Sequence, residues 1–465
     1  MIVSDKIYFT SAEAAFFDSR IFGETTYENP EYHQKRNMGL SVWGVPKEIV
    51  TYQAYEDGGL AIMRGEALRI KPFFSPNDWK PKFVHPDHPV RLQYINNDFP
   101  LDQYQLAAVD AMKNNRQGII HAVTSAGKSL IICKAIAEIG QRALVVVHRK
   151  ILMEQILQDI DKYIRDEHGN KIQPGIIGNG SLTVGNITVA IDKTLGKNLS
   201  RYHEMFGTVI LDECHLAPAA TIFSLINGIN SKYRFGLTGT LRRKDEKQFL
   251  IYSTFGQVIS TIGKDELLEQ GRVVPVEIKI LESETRFDWD HVVTALTEQG
   301  DKNPTMTARH KQEETIKLDP PRNDMILDQV KRLYDAGGKT IVLSRYVDPC
   351  YLLQEALQNR FGVPSGVITG RDAKEALESY REMKEADSRV IFATIGCVST
   401  GVSISDLDNI LLISPLYNNE LLLHQIRGRL MRTAKGKTHG TLYFVYDQHI
   451  FDHSRLKKFL KIMQS

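Results

Sequence analysis

Two series of short apolar segments, separated by stretches long enough for helices, constrain the fold of this chain more than any other feature. The first series comprises GIIHAV, RALVVV, ITVAI, TVILDE and FGLTGT, with helix-length segments such as KSLIICKAIAEIG between them. The second comprises KTIVLS, SGVIT, RVIFAT, NILLIS and GTLYFVY. Because this alternation is typical of parallel strands with helical crossovers, the sequence predicts two tandem α/β domains, each built on a parallel sheet.

A third section precedes these two. Residues 1–95 mix aromatics with Gly and Pro, which favours short strands and turns and predicts a small α+β accessory domain. The Pro-rich stretch that ends this section predicts a fairly stiff, extended linker. We place the α/β domains at 96–282 and 283–465, with a less regular stretch at 282–322 that contains the turn signal DPPR. At roughly 100–200 residues per domain, three domains fit the 465-residue length.

Charge and cysteine content narrow the class of protein. The net charge of +2 provides no global attraction for a polyanion, so any nucleic acid must be bound by a local groove. The four cysteines lie far apart, which indicates neither a zinc site nor a disulfide framework and favours a reducing cytoplasm. We find neither a signal peptide nor an apolar run long enough to span a membrane, and expect a soluble intracellular protein.

The segment HAVTSAGKSL ends like the phosphate-binding loop G-x-x-x-x-G-K-[ST], with Ala122 in place of the first glycine. It follows a predicted strand and begins a predicted helix, which is the setting that such a loop requires. Alanine is acceptable at the first position if the backbone there does not need a positive φ. We expect phosphate contacts, a cation for the β and γ phosphates and a hydroxyl ligand for magnesium from Thr124, Ser125, Ala126, Gly127, Lys128 and Ser129.

Two carboxylates follow the apolar strand TVIL directly. Asp212 and Glu213 lie at the strand's carboxyl end, which is where open parallel sheets bind ligands. Asp212 is predicted to hold magnesium, and Glu213 to orient and deprotonate the water that attacks the γ phosphate. The order of the loop and the two carboxylates along the chain predicts an ATP-hydrolysing site.

These motifs resemble those of superfamily-two helicases and translocases: AVTSAGKS resembles motif I, DECH motif II, LTGT motif III, and QIRGRLMR motif VI. The resemblance implies two RecA-like motor domains that use ATP and magnesium. It assigns catalytic roles in motif VI to Gln425, Arg429 and Arg432, the two arginines as arginine fingers. Three residues apart on one helix, these arginines are expected to share a face.

Other segments match further motifs of the same family. FPLDQYQ resembles the Q motif, which makes Gln105 the expected contact of the adenine edge, with Tyr104 stacking nearby. The resemblance also implies that residues of motifs II and III couple hydrolysis to movement between domains, namely His215, Thr238 and Thr240.

The nucleic-acid contacts are expected at the turns that follow the strands. Motifs Ia, Ib, IV and V are resembled by VVVHRKILMEQ, VAIDKTL, VLSRY and ATIGCVSTGVSI, and the matching residues are Arg149, Lys150, Lys193, Thr194, Ser344, Arg345, Thr394, Thr400 and Gly401. Hydroxyls and single basic residues suit a sugar–phosphate backbone, so we expect a translocase without sequence specificity.

The N-terminal segment resembles the accessory domain of UvsW-type phage recombination helicases, with similarity to the XPB-like branch, through NPEY, WGVP and GGLAIMRG. The resemblance implies contact with duplex DNA at a fork or junction, for which the candidates are Tyr32, Lys35, Arg36 and Trp43. The alternative is that the two aromatics are core residues. A basic cluster after motif III, Arg242, Arg243 and Lys244, is a second candidate duplex contact.

The favoured function is an ATP-dependent DNA helicase that unwinds or branch-migrates forks and junctions in recombination, repair or replication. Its expected partners are single-stranded, forked and junction DNA and single-strand-binding or recombination proteins; we expect a monomer in a bacterial or phage-infected cytoplasm. An RNA helicase, a translocase subunit of a nuclease complex and an ATP-gated nucleic-acid clamp remain alternatives. The E-x-K from Glu277 to Lys279 is interpreted as structural.

Overall fold

A computed structural model describes residues 1–17, 19–96, 100–123, 125–243, 245–369, 389–399, 407–414, 420–434 and 436–464. The chain divides into two compact units, Met1–Lys264 and Asp265–Ser465. The predicted boundary at 282 falls inside the strand Val276–Ser283, which pairs with Gly440–Asp447 in the sheet of the second unit. The segment that links the two α/β domains therefore precedes this strand.

The first unit opens with a small mixed sheet of five strands, in the order Tyr52–Ala54, Leu60–Met63, Lys6–Phe9, Ile2–Val3 and Lys82–Phe83. Thr26–Glu28 and Glu48–Val50 form a separate antiparallel pair. The helical segments are short: Ser11–Ala14, Ser19–Glu24, Pro30–Asn37, Arg64–Glu66, Ala67–Ile70 and Lys71–Phe73. Ile7, Phe9 and Ile62 centre its core. Short strands and short helices agree with the predicted α+β character.

The Pro-rich connector, expected as a fairly stiff, extended linker without regular structure, contains two strands that pair with other parts of the unit. Lys82–Phe83 joins the five-stranded sheet beside Ile2–Val3. Leu92–Tyr94 pairs with Ile164–Asp166. The residues between the prolines keep backbone N–H and C=O groups that can pair with a neighbouring strand. The spacing of the prolines alone does not reveal this pairing.

An eight-stranded sheet forms the larger part of the first unit. Its order is Ser181–Leu182, Gly175–Gly178, Ile187–Ile191, Ala143–Val147, Thr208–Asp212, Tyr233–Thr238, Gln117–Ala122 and Val258–Ile262. All neighbours are parallel except the edge pair Ser181–Leu182 and Gly175–Gly178. Every residue of Ala143–Val147 is buried, as expected for a strand with helices on both faces of its sheet.

Helices connect these strands, and each helix packs one of its faces against the rest of the unit. The helices are Gln103–Asn114, Lys128–Ile139, Lys150–Tyr163, Asp192–Lys197, Leu199–Tyr202, Ala220–Asn227 and Phe249–Phe255, with a 3₁₀ turn at Cys214–Leu216. In Lys150–Tyr163, for example, Ile156 and Ile160 are both buried and lie four residues apart, which is the spacing of one helical face. The parallel order places the carboxyl ends of the central strands at one edge, where the loops of motifs I, II and III begin.

The second unit is built on a six-stranded parallel sheet, ordered Val276–Ser283, Gly440–Asp447, Asn409–Leu412, Thr340–Ser344, Val390–Thr394 and Ser365–Ile368. Its helices are Trp289–Glu298, Pro304–Leu318, Pro320–Asp335, Asp348–Phe361, Ile395–Ser399, Glu420–Leu430 and His453–Gln464, and Lys264–Glu269 lies where the two units divide. Both α/β domains and their parallel sheets are confirmed.

The stretch 282–322 is helical rather than irregular. Trp289–Glu298 and Pro304–Leu318 are helices, and the prolines of DPPR begin the helix Pro320–Asp335. Proline is favoured in the first turn of a helix because the N–H groups there have no intrahelical partner. The turn signal was therefore a helix start.

Among the described helices, none combines the length and the apolar character needed to cross a membrane.

Candidate functional site

The phosphate-binding loop joins the strand Gln117–Ala122 to the helix Lys128–Ile139. Gly127 has a φ of +74°, a backbone conformation that residues with a side chain rarely adopt, and a Cβ there would lie 2.3 Å from Gln105 Nε2. Ala122 is a strand residue outside the positive-φ set. The glycine that the loop needs is therefore Gly127, and alanine at position 122 is compatible with the loop, as predicted. Thr124 lies outside the described residues.

Gln105 holds this loop in place. Its side-chain Oε1 accepts a hydrogen bond from the Asp102 N–H at 3.0 Å, and its Nε2 donates to the Ala126 carbonyl at 3.0 Å. The side chain is 5% exposed. Tyr104 is equally buried, so its ring offers little surface for the stacking that we expected. The adenine contact of Gln105 stays a prediction, and the hydrogen bonds give the residue a second role in shaping the loop.

The two carboxylates of motif II meet the lysine of motif I. Glu213 follows the buried strand Thr208–Asp212, and its backbone is left-handed, with a φ of +55°. Lys128 Nζ lies 3.2 Å from Glu213 Oε1, and His215 Nδ1 lies 3.2 Å from Glu213 Oε2. Glu213 is thus held between two basic groups, and a strained backbone at such a position is common in functional sites.

Burial and the neighbouring charges separate the acidities of the two carboxyls. Burial, together with the charge of Glu213, raises the pKa of Asp212. Burial also acts to raise the pKa of Glu213, but Lys128 and His215 outweigh it and lower the value. Glu213 is therefore ionised at neutral pH, as a general base must be.

Asp212 and Ser129 can hold a magnesium ion. Asp212 is 9% exposed, and its buried charge is opposed by that of Glu213, so a divalent cation would stabilise the pair. Carboxylate and hydroxyl oxygens are the ligands that Mg²⁺ prefers. In the structure the Ser129 side chain interacts with Asp159, on the helix Lys150–Tyr163, and acts to lower the pKa of that carboxyl, which burial raises. Asp159 was missed by the sequence analysis, because no motif places this helix residue beside the loop.

Motifs II and III are joined by hydrogen bonds. His215 Nδ1 lies 3.0 Å from Thr238 Oγ1. The Thr240 N–H donates to the same hydroxyl at 3.1 Å, and that hydroxyl donates to the Thr240 carbonyl at 3.0 Å. The three predicted coupling residues thus form one hydrogen-bonded group beside Glu213, and their coupling role stays a prediction.

Arg243, a predicted duplex contact, is engaged within this group. Its guanidinium donates to the His215 carbonyl and to Asp245 Oδ1 and Oδ2, the latter two at 2.8 and 2.7 Å. Its neighbour Arg242 is exposed, and Lys244 lies outside the described residues. Arg242 therefore remains available to nucleic acid, whereas the structure gives Arg243 an internal role.

Motif VI lies in the second unit. Arg427 and Arg429 are buried, with Arg427 Nη1 donating to the Met463 carbonyl at 2.7 Å, and Gln425 is partly buried. The helix ends at Leu430, so Arg432 lies beyond it, in a bridge to Val273. The expectation that Arg429 and Arg432 share one helical face is wrong, because the helix stops between them.

Four predicted backbone contacts follow strands of the first sheet. Arg149 immediately precedes the helix Lys150–Tyr163, and Lys150 Nζ lies 3.8 Å from Glu154 Oε1. Lys193 and Thr194 lie on the short helix that follows Ile187–Ile191, with Lys193 exposed and Thr194 partly buried. Because these turns leave neighbouring parallel strands at the same edge, the structure brings the two pairs to one side of the sheet.

The second unit carries the remaining motor contacts. Arg345 is exposed, but Ser344 is 1% exposed and its hydroxyl accepts from the Tyr346 N–H at 3.0 Å. Ser344 therefore shapes its turn instead of offering a free hydroxyl. Thr394 is partly buried, with its Oγ1 3.2 Å from Cys397 Sγ. Thr400 and Gly401 lie outside the described residues.

The N-terminal candidates lie at the surface. Trp43 is 93% exposed, which contradicts the alternative that it is a core residue. Tyr32 is partly buried, as is Lys35, whose Nζ lies 3.1 Å from Glu31 Oε1, and Arg36 is exposed on the same helix, Pro30–Asn37. The exposure of Trp43 and Arg36 is compatible with the duplex contact, which stays a prediction.

Two family descriptions match the chain. Residues 98–243 match "Type III restriction enzyme, res subunit", and residues 323–434 match "Helicase conserved C-terminal domain". Together the matches cover more than half of the chain, and they fall on the two parallel sheets.

Three relatives illustrate the similarity. "Probable helicase D10" of Escherichia phage T5 is 25% identical over 69% of this chain and 65% of its own length. "ATP-dependent DNA helicase uvsW" of Enterobacteria phage T4 is 26% identical over 74% of this chain and 68% of its own length. "DNA 3'-5' translocase XPB2" of Sulfurisphaera tokodaii is 24% identical over 73% of this chain and 80% of its own length. The matches to the two phage proteins thus span about two thirds of their lengths.

Proposed function

The chain belongs to the superfamily-two helicases, and on that premise we propose that it is an ATP-driven DNA helicase that unwinds or branch-migrates forked and junction DNA. The observation that carries this proposal is the contact of Lys128 with Glu213, beside the buried Asp212. A phosphate-binding lysine, a metal-binding carboxylate and an ionised base in one place are the parts that ATP hydrolysis requires.

Each group has a role that its surroundings support. When ATP binds, the Lys128 ammonium leaves Glu213 and binds the phosphate oxygens, because the triphosphate carries more negative charge than one carboxylate. Glu213, released on that side but still beside His215, accepts a proton from the attacking water. Ser129 and Asp212 would hold the magnesium ion, which would neutralise charge on the phosphates. Gln425, Arg429 and Arg432, which belong to the second unit, are proposed as the catalytic residues of motif VI.

DNA is the proposed substrate because two of the relatives are named as a DNA helicase and a DNA translocase. The backbone contacts are proposed to be Arg149, Lys150, Lys193, Thr194, Arg242, Arg345, Thr394, Thr400 and Gly401. Lys35, Arg36 and Trp43 are proposed to bind the duplex ahead of the motor. Hydrolysis that alternately closes and opens two domains along one strand would produce directional movement.

We further propose that residues 1–95 comprise an accessory domain and its linker. The enzyme is proposed to be a monomer in a bacterial or phage-infected cytoplasm that encounters single-strand-binding or recombination proteins.

A second candidate is a translocase subunit of a nuclease complex, which the family description of residues 98–243 favours. Such a subunit would hydrolyse ATP on plain duplex as fast as on branched DNA, and would need its partner for cleavage. Glu277 and Lys279 do not supply a nuclease centre by themselves, since Lys279 Nζ pairs with Glu277 Oε2 at 3.2 Å on an edge strand.

The steady-state ATPase rate tests both candidates. It is measured without nucleic acid and with single-stranded, duplex, forked and four-way-junction DNA and RNA, with Lys128→Ala as the inactive control. We expect the strongest stimulation by branched or single-stranded DNA, followed by unwinding of a labelled fork. Stimulation by RNA alone would overturn the substrate, and equal stimulation by plain duplex would favour the nuclease-complex translocase. A protein that binds DNA in an ATP-dependent manner without hydrolysis would be a clamp.

A further inference from the structure

A cavity of about 250 Å³ lies where the N-terminal sheet meets the eight-stranded sheet of the first unit. The N-terminal section contributes Arg64, Lys71, Trp79 and Phe83 to its lining, and the motor contributes Arg116 and Gln117. The cavity is separate from the ATP site, as none of its lining residues belongs to motifs I, II or III. Its volume lies below the roughly 300–1,000 Å³ of pockets for drug-sized ligands, so it suits one small ligand or a single chain end.

The cavity is positively charged. Arg64, Lys71 and Arg116 line it, and no aspartate or glutamate is among its described lining residues. The charge of Asp5, which does not line the cavity, acts on Arg64, but within the described part of the chain no carboxylate forms a salt bridge with any of the three side chains. Three cations without an acidic neighbour in the lining attract an anion.

Arg64 is the strongest indication of a ligand. The residue is 2% exposed, and its guanidinium donates only to backbone carbonyls: Nη1 to Ser4 at 3.2 Å and Ser231 at 2.5 Å, and Nη2 to Lys232 at 3.5 Å. Its Nε is buried and has no hydrogen-bond partner in the described residues. A buried guanidinium with an unpaired N–H donor lowers the stability of the fold unless an anion accepts a hydrogen bond from it and balances its charge.

Aromatic surface adjoins these charges. Trp79 and Phe83 line the cavity, and Phe83 is 46% exposed. The Arg116 guanidinium carbon lies 3.9 Å from the centre of the Phe83 ring. Aromatic rings and a stacked guanidinium offer flat surfaces on which a nucleic-acid base can stack.

We propose that this cavity binds a single phosphorylated nucleotide, with its base against Trp79 and Phe83 and its phosphate toward Arg64, Lys71 and Arg116. A phosphate is the anion that a guanidinium fork matches best, and a base is the planar group that stacks on the rings. The same chemistry is presented by a free nucleoside monophosphate and by the 5′-phosphorylated end of a DNA strand. The proposal does not depend on the ATP site.

Equilibrium binding to full-length protein tests this. All variants carry Lys128→Ala, so that the ATP site contributes little, and the probes are deoxythymidine monophosphate and thymidine, measured by calorimetry without magnesium. We expect the monophosphate to bind at least tenfold more tightly than thymidine. Lys71→Ala and Arg116→Ala should each weaken its binding about tenfold, which corresponds to about 1.4 kcal/mol. Both replaced side chains are exposed, so the variants should fold normally, whereas Arg64 is too buried for a clean substitution.

Arg91→Ala is the matched control, because it removes an arginine whose side chain is 87% exposed and outside the cavity. Equal binding of thymidine and its monophosphate, or unchanged binding in both cavity variants, would refute the proposal. Competition identifies the source of the phosphate: a single-stranded oligonucleotide, with or without a 5′-phosphate, is added to displace bound deoxythymidine monophosphate. Displacement by the 5′-phosphorylated oligonucleotide alone identifies a DNA end. If neither oligonucleotide displaces the monophosphate, the ligand is a free nucleotide. Because every protein lacks Lys128, failure here leaves the ATPase proposal untouched.

Discussion

At Gly127 two constraints coincide, since the backbone is left-handed and Gln105 Nε2 occupies the space where a Cβ would lie. Gly127→Ala should therefore distort the loop and weaken ATP binding at least tenfold. Gly169 has a φ of +84° with nothing near its Cβ position, so Gly169→Ala isolates the backbone strain, about 1 kcal/mol. Fluorescent-nucleotide titration and thermal melting measure the two effects.

The steric part of this effect can be tested separately. If Gln105 causes it, adding Gln105→Ala to Gly127→Ala should restore part of the binding, a non-additive result expected of residues in contact. A double variant that binds ATP more weakly than either single variant would show that the Gln105 hydrogen bonds matter more than the clash.

Glu213 is held by Lys128 and His215 and is ionised at neutral pH, as its lowered pKa indicates. Glu213→Gln keeps the shape but cannot accept a proton, so we expect the DNA-stimulated kcat to fall by roughly 10²–10⁴-fold. ATP binding should persist or tighten, because Lys128 loses its competing carboxylate. The exposed Glu269→Gln is the control, and a variant that retains a tenth of the wild-type rate would exclude Glu213 as the base.

Among the elements of the second unit, the helix Pro320–Asp335 is fastened to the end of the strand Gly440–Asp447 by a buried ion pair. Arg322 Nε lies 2.7 Å from Asp447 Oδ1, and Arg322 Nη2 donates to the Ile413 carbonyl at 2.6 Å. Asp447→Ala leaves Arg322 buried without its partner, which should destabilise this unit by about 3–5 kcal/mol.

Differential scanning calorimetry would show this loss as a lowered melting transition. Asp335→Ala, which removes an exposed partner of Lys331, should change stability by less than about 0.5 kcal/mol. Equal effects of the two substitutions would contradict the assigned role of the buried pair.

The elements that could be predicted from the sequence are the buried ones with a clear local pattern, and those that could not depend on packing between distant segments. The central strands were evident because strands buried on both faces are continuous apolar runs. The end of the helix Glu420–Leu430 was not, since Arg432 follows it within an uninterrupted motif. Likewise, DPPR allows either a turn or a helix start, and only the contacts of Arg322 decide between them. The interaction of Asp159 with Ser129 depends on packing between two helices, for which the sequence carries no local signal.

At the scale of the molecule, the N-terminal section is joined to the first motor domain through a buried carboxyl. Glu66 Oε1 accepts from the hydroxyls of Tyr27 and Thr51, both at 2.9 Å, and from Ser253 on the helix Phe249–Phe255. Arg69 Nη1 lies 3.4 Å from Glu66 Oε2, but burial outweighs this contact and the hydrogen bonds from Ser253 and Thr51, and it raises the pKa of Glu66 to about 7 from an ordinary value of 4.5.

This raised pKa predicts a pH-dependent stability. The folded protein keeps a proton that the unfolded chain releases, so the stabilisation is complete below pH 4.5 and is lost as the pH rises through about 7. Relative to Glu66→Gln, the wild type should lose roughly 3 kcal/mol over that window. Melting temperatures measured from pH 4.5 to 8 check this, with the exposed Glu56→Gln as control. Parallel curves for wild type and Glu66→Gln would show that Glu66 does not titrate there.

Among the described strands, the edge strand Val276–Ser283 pairs with one neighbour, Gly440–Asp447, which comes much later in the chain. During synthesis from the N-terminus, about 160 further residues must leave the ribosome before this partner exists, which takes roughly 8–30 s at 5–20 residues per second. During that time Val276–Ser283 has no partner strand, although all of the first unit has already been synthesised. The nascent chain is thus exposed to mispairing and to chaperones at this one segment until Gly440–Asp447 has been synthesised.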